Sequence, residues 1–265
     1  MIKAIAVDMD GTFLDSSSNY DRKRFDGIFQ QLQENEIKFI VASGNQYAQL
    51  TSFFKGKEDN IYFVAENGAI IYDSPKLETI DSFPNEFVQK AVDYLIHSID
   101  KAAFILCGLH SAYILKSADN DFKKLAKHYY HQLKEVEHFD SLPDDTFVKF
   151  ALNVEVNQTS HIVYQLNQAF QGEMQAVSSG HGSIDMIIPG VNKGNGLNIL
   201  LDRWNISPHE LLAFGDANND LEMLALTEHS YAMETCSPEV QKTAKHRAPS
   251  NDESGVLQII EAYLN

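Results

Sequence analysis

The chain has 265 residues, 44% hydrophobic and 22% charged, the composition of one large or two modest globular domains rather than a disordered chain. Its 21 Lys and Arg against 37 Asp and Glu leave a net charge of -16. That field repels nucleic acid and anionic membrane surfaces, and a phosphorylated substrate would need local cations to override it.

Cys107 and Cys236 are the only thiols, too few for a disulfide framework or a four-thiolate zinc site. The apolar start Met1 to Val7 runs straight into Asp8 and Asp10, unlike a secretory leader, and no run approaches the ~18 apolar residues of a membrane span. A cytoplasmic setting is expected.

Apolar runs and helical patterns alternate from the start. Ile2 to Val7 reads as a buried strand. Phe25, Ile28, Phe29 and Leu32 fall at helical spacing. Phe39 to Ala42 is a second strand and Tyr47 to Phe54 a short helix. Ile61 to Ala65 is a third strand, turned by Asn67-Gly68 into the hairpin arm Ala69 to Tyr72. Buried strands alternating with helices imply a parallel sheet covered on both faces.

The middle differs in style. A helix carries Phe87, Ala91, Val92 and Leu95, and strands at Ala103 to Leu106 and Ala112 to Leu115 precede a helix over Asp121 to His131. After a polar loop at Asp140 to Asp145, the alternation of Phe150, Leu152, Val154 and Val156 predicts a strand with one wet face. A helix with Ile162, Val163, Leu166 and Phe170 and a strand Ile184 to Ile188 close this section. The last quarter resumes the first style. It has a helix Lys193 to Trp204, a capping-box pattern with helical Pro at Ser207-Pro208-His209-Glu210, a buried strand Leu211 to Phe214, and a helix through Leu221 and Met223. The simplest parse is an α/β core interrupted by an α+β insertion from about Pro84 to Pro189.

Four constellations carry chemistry. Asp8-Met9-Asp10-Gly11-Thr12 leaves the first strand at its carboxyl end, where open parallel sheets bind ligands. A solvated turn or an unrelated metal-binding D-x-D fits it too, but a calcium loop does not, because its required Gly would fall at Phe13. Ser43-Gly44 offers a hydroxyl and an accessible backbone N–H to a phosphate oxygen, although such a pair is usually only a turn. Lys193 follows a potential helix cap, Asn192, and places a cation near the positive helix end; a lone Lys is more often a surface charge. Gly215-Asp216-Ala217-Asn218-Asn219-Asp220 follows another buried strand, and simple helix capping accounts for Asp220 but not for the whole string.

Taken together, these strings resemble the haloacid dehalogenase-like hydrolases, closest to the Cof-type, sugar-phosphatase-like branch. The resemblance rests on Asp8-Met9-Asp10-Gly11-Thr12-Phe13-Leu14-Asp15, Ser43-Gly44, Glu66-Asn67-Gly68-Ala69, Lys193-Gly194 and Gly215 to Asp220. It implies a Rossmann-like, doubly wound parallel-sheet core over residues 1–83 and 190–265 with an inserted α+β cap over 84–189. Relatives commonly carry Thr-Gly-Arg where this chain has Ser43-Gly44-Asn45, so the usual cation is missing there.

By this resemblance Asp8 is the nucleophile that forms an aspartyl-phosphate and Asp10 the general acid and base. Like charges ~4 Å apart cost about 4 kcal/mol per pair at an effective dielectric of 20, so Asp8, Asp216 and a phosphate together call for a cation. Mg2+ fits, held by the side chains of Asp8 and Asp216 and the backbone carbonyl of Asp10, with Asp220 joining or orienting that set. Ser43, Gly44, Lys193, Asn219 and the Met9 N–H would hold the phosphoryl oxygens.

The expected activity is magnesium-dependent hydrolysis of small phosphorylated metabolites, sugar phosphates foremost. A sugar phosphomutase and a non-catalytic phosphosugar-binding regulator are the alternatives, the latter having no need of Asp10; release of free phosphate separates the first from both. No protein partner is inferred. The insertion is expected to act as a lid that sets selectivity, with His181 and His110 as first candidates for its cleft-facing residues. Phe53-Phe54 and Tyr129-Tyr130 read as packing, and Asp144-Asp145 as a solvated loop.

Overall fold

Four short, almost wholly buried strands set the centre of the first sheet. In the computed structural model, which describes residues 1–99, 103–180 and 182–264, β1 (Ala4–Val7), β2 (Lys38–Ala42) and β3 (Tyr62–Ala65) alternate with α1 (Arg22–Glu34) and α2 (Tyr47–Phe53). A tight turn at Glu66–Gly68 then reverses the chain into β4 (Ile70–Asp73) and β5 (Lys76–Ile80). The following segment forms α3 (Asn85–Ser98), β6 (Ala103–Gly108), β7 (Ala112–Leu115), α4 (Asn120–Tyr129), β8 (Leu133–Val136), β9 (Phe147–Asn153), α5 (Thr159–Ala169), β10 (Gln175–Gly180) and β11 (Ser183–Ile187). The chain returns through α6 (Lys193–Trp204), β12 (Leu211–Gly215), α7 (Leu221–Ala225), β13 (His229–Ala232), α8 (Pro238–Thr243), β14 (His246–Arg247) and α9 (Gly255–Leu264).

Two sheets result. The first runs β14-β13-β12-β1-β2-β3-β4-β5, parallel as far as β3 and antiparallel over its last two pairings. The second runs β10-β11-β9-β6-β7-β8 and is antiparallel except for its β7–β8 pair. The fold is α/β with a doubly wound parallel-sheet core and an α+β unit between β5 and α6. Because β2 lies on one side of β1 and β12 on the other, strand order reverses at β1, and the carboxyl ends of β12, β1, β2 and β3 lie side by side. Ligand crevices form at such a switch point.

Packing follows the periodicity of each element. Phe25, Ile28, Phe29 and Leu32 of α1 and Val256, Leu257 and Ile260 of α9 bury one face of the first sheet. Leu197, Leu200 and Leu201 of α6, with Met223, Leu224 and Val240, bury the other. In the inserted unit, α3 and α5 press Phe87, Val92, Leu95, Ile162 and Leu166 against Phe104, Phe150 and Leu152. On its opposite side α4 contributes Phe122 and Ala126 to the cluster that holds Ile105, Cys107 and Val148.

Several expectations differ from the structure. Strand β9 ends at Asn153, and Val156, assigned to its buried face, is 71% exposed in a 3-10 turn. Its other face is not wet either, because Lys149 is fully buried there. The Ser207 capping box forms in full but closes a single 3-10 turn before β12. Asp145 is not a solvated acid: it accepts from the backbone N–H groups of His110 and Ser111 and from the Tyr113 hydroxyl, and so ties off the β6–β7 turn. His110 is exposed on that turn, and His181 lies outside the described residues.

The aromatic cluster between α1 and the first sheet gives a stability test. Phe25 is fully buried and meets the Phe13, Tyr20, Phe29, Phe39 and Phe54 rings at centroid distances of 5.1 to 5.8 Å. Phe25→Ala should cost about 3–5 kcal/mol in urea unfolding. A loss under 1 kcal/mol would mean that the cluster collapses freely around the cavity.

Candidate active site

Three neighbouring strand ends and the start of α6 deliver the predicted residues to one crevice. Asp8 follows β1, Ser43 and Gly44 follow β2, Asp216 to Asp220 follow β12, and Lys193 opens α6 under the cap of Asn192, whose side chain accepts from the Asn195 N–H at 2.8 Å. Asp8, Asp10, Ser43, Gly44, Asp216 and Asn219 line one cleft. Lys193 is buried beneath it, its ammonium 2.6 Å from Asp8 Oδ1 and 2.6 Å from Asp220 Oδ1. The Met9 side chain is buried in the core, which leaves only its backbone for a ligand.

Asp220 has both oxygens committed. Oδ1 meets Lys193, and Oδ2 accepts the N–H groups of Asp216 at 2.9 Å and Ala217 at 3.0 Å. Of the two roles left open for it in the sequence, this geometry is that of an orienting group. It shapes the loop that presents Asp216 and holds Lys193 toward Asp8. Thr12, quoted in the first motif without a role, donates to Asp216 Oδ1 at 2.8 Å. Gly11 stands at φ +79°, and a Cβ there would lie 2.7 Å from Asp216 Oδ2, so only glycine lets the two loops close on each other.

The electrostatics describe a site short of positive charge. Burial, reinforced by Asp220 and Asp216, lifts the Asp8 carboxyl well above its ordinary value despite Lys193. Burial and the charge of Asp220 push Asp216 up to about 7. Burial alone would lower the Lys193 ammonium, but Asp220 and Asp8 outweigh it and hold the proton in place.

Oxygen atoms of Asp8, Asp216 and Asp220 lie within 4.8 Å of one another. With Asp220 engaged elsewhere, Asp8 and Asp216 offer hard oxygen donors whose anionic forms are penalised until a cation shares them. That donor set fits Mg2+.

Asn45, at the position of the missing cation, donates through Nδ2 to Asp10 Oδ2 at 2.6 Å. It fixes the orientation of Asp10 with a neutral amide. The other wall of the cleft comes from the inserted unit and includes Phe122, Leu125 and Tyr129 of α4 together with Lys149, Asn153 and Asp185. Tyr129, read as packing, therefore faces a ligand space, whereas Phe54 is core. His110 is not among the cleft-lining residues.

Metal binding should carry the signature of the raised Asp216. A metal held by Asp216 would take its carboxylate, so below pH about 7 it would have to displace a proton. Magnesium affinity should weaken as pH falls through that value, by roughly tenfold or more per unit because the Asp8 carboxyl is raised as well, with proton release on binding. Calorimetry between pH 5.5 and 8.5 in buffers of different ionisation enthalpy reads both effects. A pH-independent affinity without proton release would contradict the assignment of Asp216.

Comparison with known proteins agrees with this geometry. The family model of haloacid dehalogenase-like hydrolases matches residues 5–260. An Escherichia coli protein named 5-amino-6-(5-phospho-D-ribitylamino)uracil phosphatase is 43% identical over 99% of this chain and 96% of its own length. A crystal structure of a Streptococcus mutans protein superposes with a TM-score of 0.96 at 37% identity, covering 100% of this chain and 99% of that one. A subclass IIB sugar phosphatase shares the fold at a TM-score of 0.82 and 16% identity, over 98% of both chains. With the family model matched over residues 5–260 and a 43%-identical relative covered almost end to end, the chain belongs to the haloacid dehalogenase-like hydrolases.

Proposed function

We propose that this hydrolase is a magnesium-dependent phosphatase that releases inorganic phosphate from small phosphorylated metabolites with a sugar or sugar-alcohol stem. The observation that carries the reading is the placement of Asp8: a buried carboxylate at the β1 end, 2.6 Å from Lys193 and beside Asp216, in a cleft it shares with Asp10. The 43%-identical relative named for a phosphoribitylamino-uracil supports a polyol phosphate as the substrate stem and makes that compound the first to test. The cleft, about 550 Å³, is of the size that encloses a small ligand.

In the mechanism, an Asp8 carboxylate oxygen attacks phosphorus while the bond to the leaving oxygen breaks. Asp10, held by Asn45, gives that oxygen its proton. Asp10 then takes a proton from water as the water attacks the aspartyl-phosphate, which frees the Asp8 carboxylate and inorganic phosphate. Ser43, the Gly44 and Met9 N–H groups, Lys193 and Asn219 hold the phosphoryl oxygens through the transfer. Magnesium held by Asp8, Asp216 and the Asp10 carbonyl would neutralise charge between the nucleophile and the phosphate. The inserted unit, with α4 over the cleft, would cover the site and meet the leaving group.

The test is phosphate release from a panel of sugar phosphates, polyol phosphates, the phosphoribitylamino-uracil and nucleotides, with and without chelator. Release should require magnesium. Asp8→Asn should lower kcat by at least about 10⁴-fold while the far-ultraviolet spectrum is retained, because an amide is isosteric but a poor nucleophile. Transfer between positions of a sugar without free phosphate would identify a mutase instead. Wild-type turnover by a verified Asp8→Asn preparation would remove the covalent mechanism.

A further inference from the structure

A chain of buried polar groups runs from the inserted unit into the phosphate subsite, and its hydrogen-bond polarity is fixed at one end. Asp185 of β11 is a buried carboxylate, which accepts hydrogen bonds and donates none when ionised. Its Oδ2 lies 2.8 Å from Asn67 Nδ2. An acceptor there forces Asn67 to present its amide nitrogen to Asp185 and its carbonyl oxygen the other way. That oxygen, Asn67 Oδ1, receives Asn219 Nδ2 at 3.0 Å. Asn219 therefore spends one N–H on Asn67 and keeps the other, with its carbonyl oxygen turned away from that contact.

Lys149 keeps Asp185 in place. Its ammonium lies 3.4 Å from Asp185 Oδ1 and 2.8 Å from Glu66 Oε2, and it also donates to the Gly44 carbonyl. Of these contacts the one to the Gly44 carbonyl is a hydrogen bond and the other two are ion pairs. Register explains how a strand lysine reaches this position: the β6–β9 pairing steps from Cys107–Lys149 to Gly108–Phe147, which makes Val148 the extra residue of a bulge. Bulges re-aim neighbouring side chains. Gly44 is glycine for the same reason, because a Cβ would stand 3.1 Å from Asn67 Oδ1 and 3.2 Å from Asp185 Oδ2.

We infer that Asp185, acting through Asn67, is a positioning residue that sets which end of the Asn219 amide faces the transferring phosphoryl group, so that the phosphate subsite is correctly poled only while the inserted unit is seated on the core. The inference rests on the reading of Asn219 as a phosphate contact. With Asp185 withdrawn, nothing on the inserted unit dictates the Asn67 orientation. A flipped Asn67 turns the Asn219 carbonyl oxygen toward the phosphate, where it repels an anion. Closure of the unit over the cleft and phosphate affinity are thereby one event.

The experiment is calorimetric titration of inorganic phosphate into the magnesium-loaded full chain, which needs no turnover. Asp185→Ala, Asn67→Gly and Asn219→Ala should each weaken phosphate about tenfold, the effect of one hydrogen bond to a charged group. Asn67→Gly suits the left-handed backbone at φ 57°, which gives a second route if Asp185→Ala folds poorly. The double variant Asp185→Ala/Asn219→Ala should bind phosphate no more weakly than Asn219→Ala alone, and magnesium affinity should match the wild type in every variant. Wild-type phosphate affinity in Asp185→Ala and Asn67→Gly would overturn the relay, as would losses that multiply in the double variant. A parallel loss of magnesium affinity would replace it with a general structural role. If the wild type itself bound no phosphate, the site reading would fall first and the relay with it.

Discussion

The buried ammonium of Lys193 is the contact on which the site depends. It sits fully buried between Asp8 and Asp220, and those two carboxylates meet a third, Asp216, within a few ångströms. Without the lysine the β1 and β12 loops would repel each other; with it, each loop is anchored to the start of α6. Removing one partner of a buried ion pair costs about 3–5 kcal/mol because the other charge is left unpaired. Asp220 extends the same anchor to the backbone, since its second oxygen holds the amides of Asp216 and Ala217. A chain with a charge of -16 can approach a phosphate only where such local cations are built in, and the buried Lys193 is one.

The residues that carry this chemistry were legible because local constraints act on them directly. Strands β1, β2 and β12 are buried on both faces, so they read as continuous apolar runs, and each is followed at once by its polar motif. The edge elements were not legible. Strands β5, β8 and β10 expose much of their length, carry Lys, Glu, Ser or Gly, and form through pairing with a neighbour rather than by composition. Beyond Met223 the short β13, β14 and α8 carry no periodic signal strong enough to place them, although Val256, Leu257 and Ile260 fall at helical spacing in α9. Tyr129 packs against the core and lines the cleft at once, and composition and helical spacing signal only the packing.

Within the site, what escaped the sequence is what depends on contact across distance. Thr12 and Asp216 are 204 residues apart and Asn67 and Asp185 are 118 apart. Asn45 looked like a loss, an amide where relatives carry a cation, yet the structure gives it a task of its own on Asp10. Lys149 was invisible for a different reason. In an alternating strand a lysine reads as the wet face, and only the bulge at Val148 and the approach of Glu66 turn that position into a buried one.

The turn after β3 shows how the two sheets constrain each other. Glu66 and Asn67 both occupy the left-handed region, at φ 50° and 57°, and Gly68 follows at φ 100°. Asn tolerates that region, whereas Glu does so at a cost of order 1 kcal/mol or more. Burial pushes the Glu66 carboxyl up as well, with Lys149 opposing. A residue that is both strained and desolvated persists only where its surroundings over-determine it. Here the surroundings come from both units: the Lys149 ammonium from the inserted strand β9, and the Asn67 N–H bond to the Ser43 carbonyl at 3.0 Å from the core. A less contorted turn would reverse β3 into β4 equally well, but it would not aim Glu66 at the inserted unit and, one residue later, Asn67 at Asn219. This strained turn lies where the antiparallel extension of the first sheet, the second sheet and the proposed phosphate subsite meet, and the contacts it creates are the ones that join them.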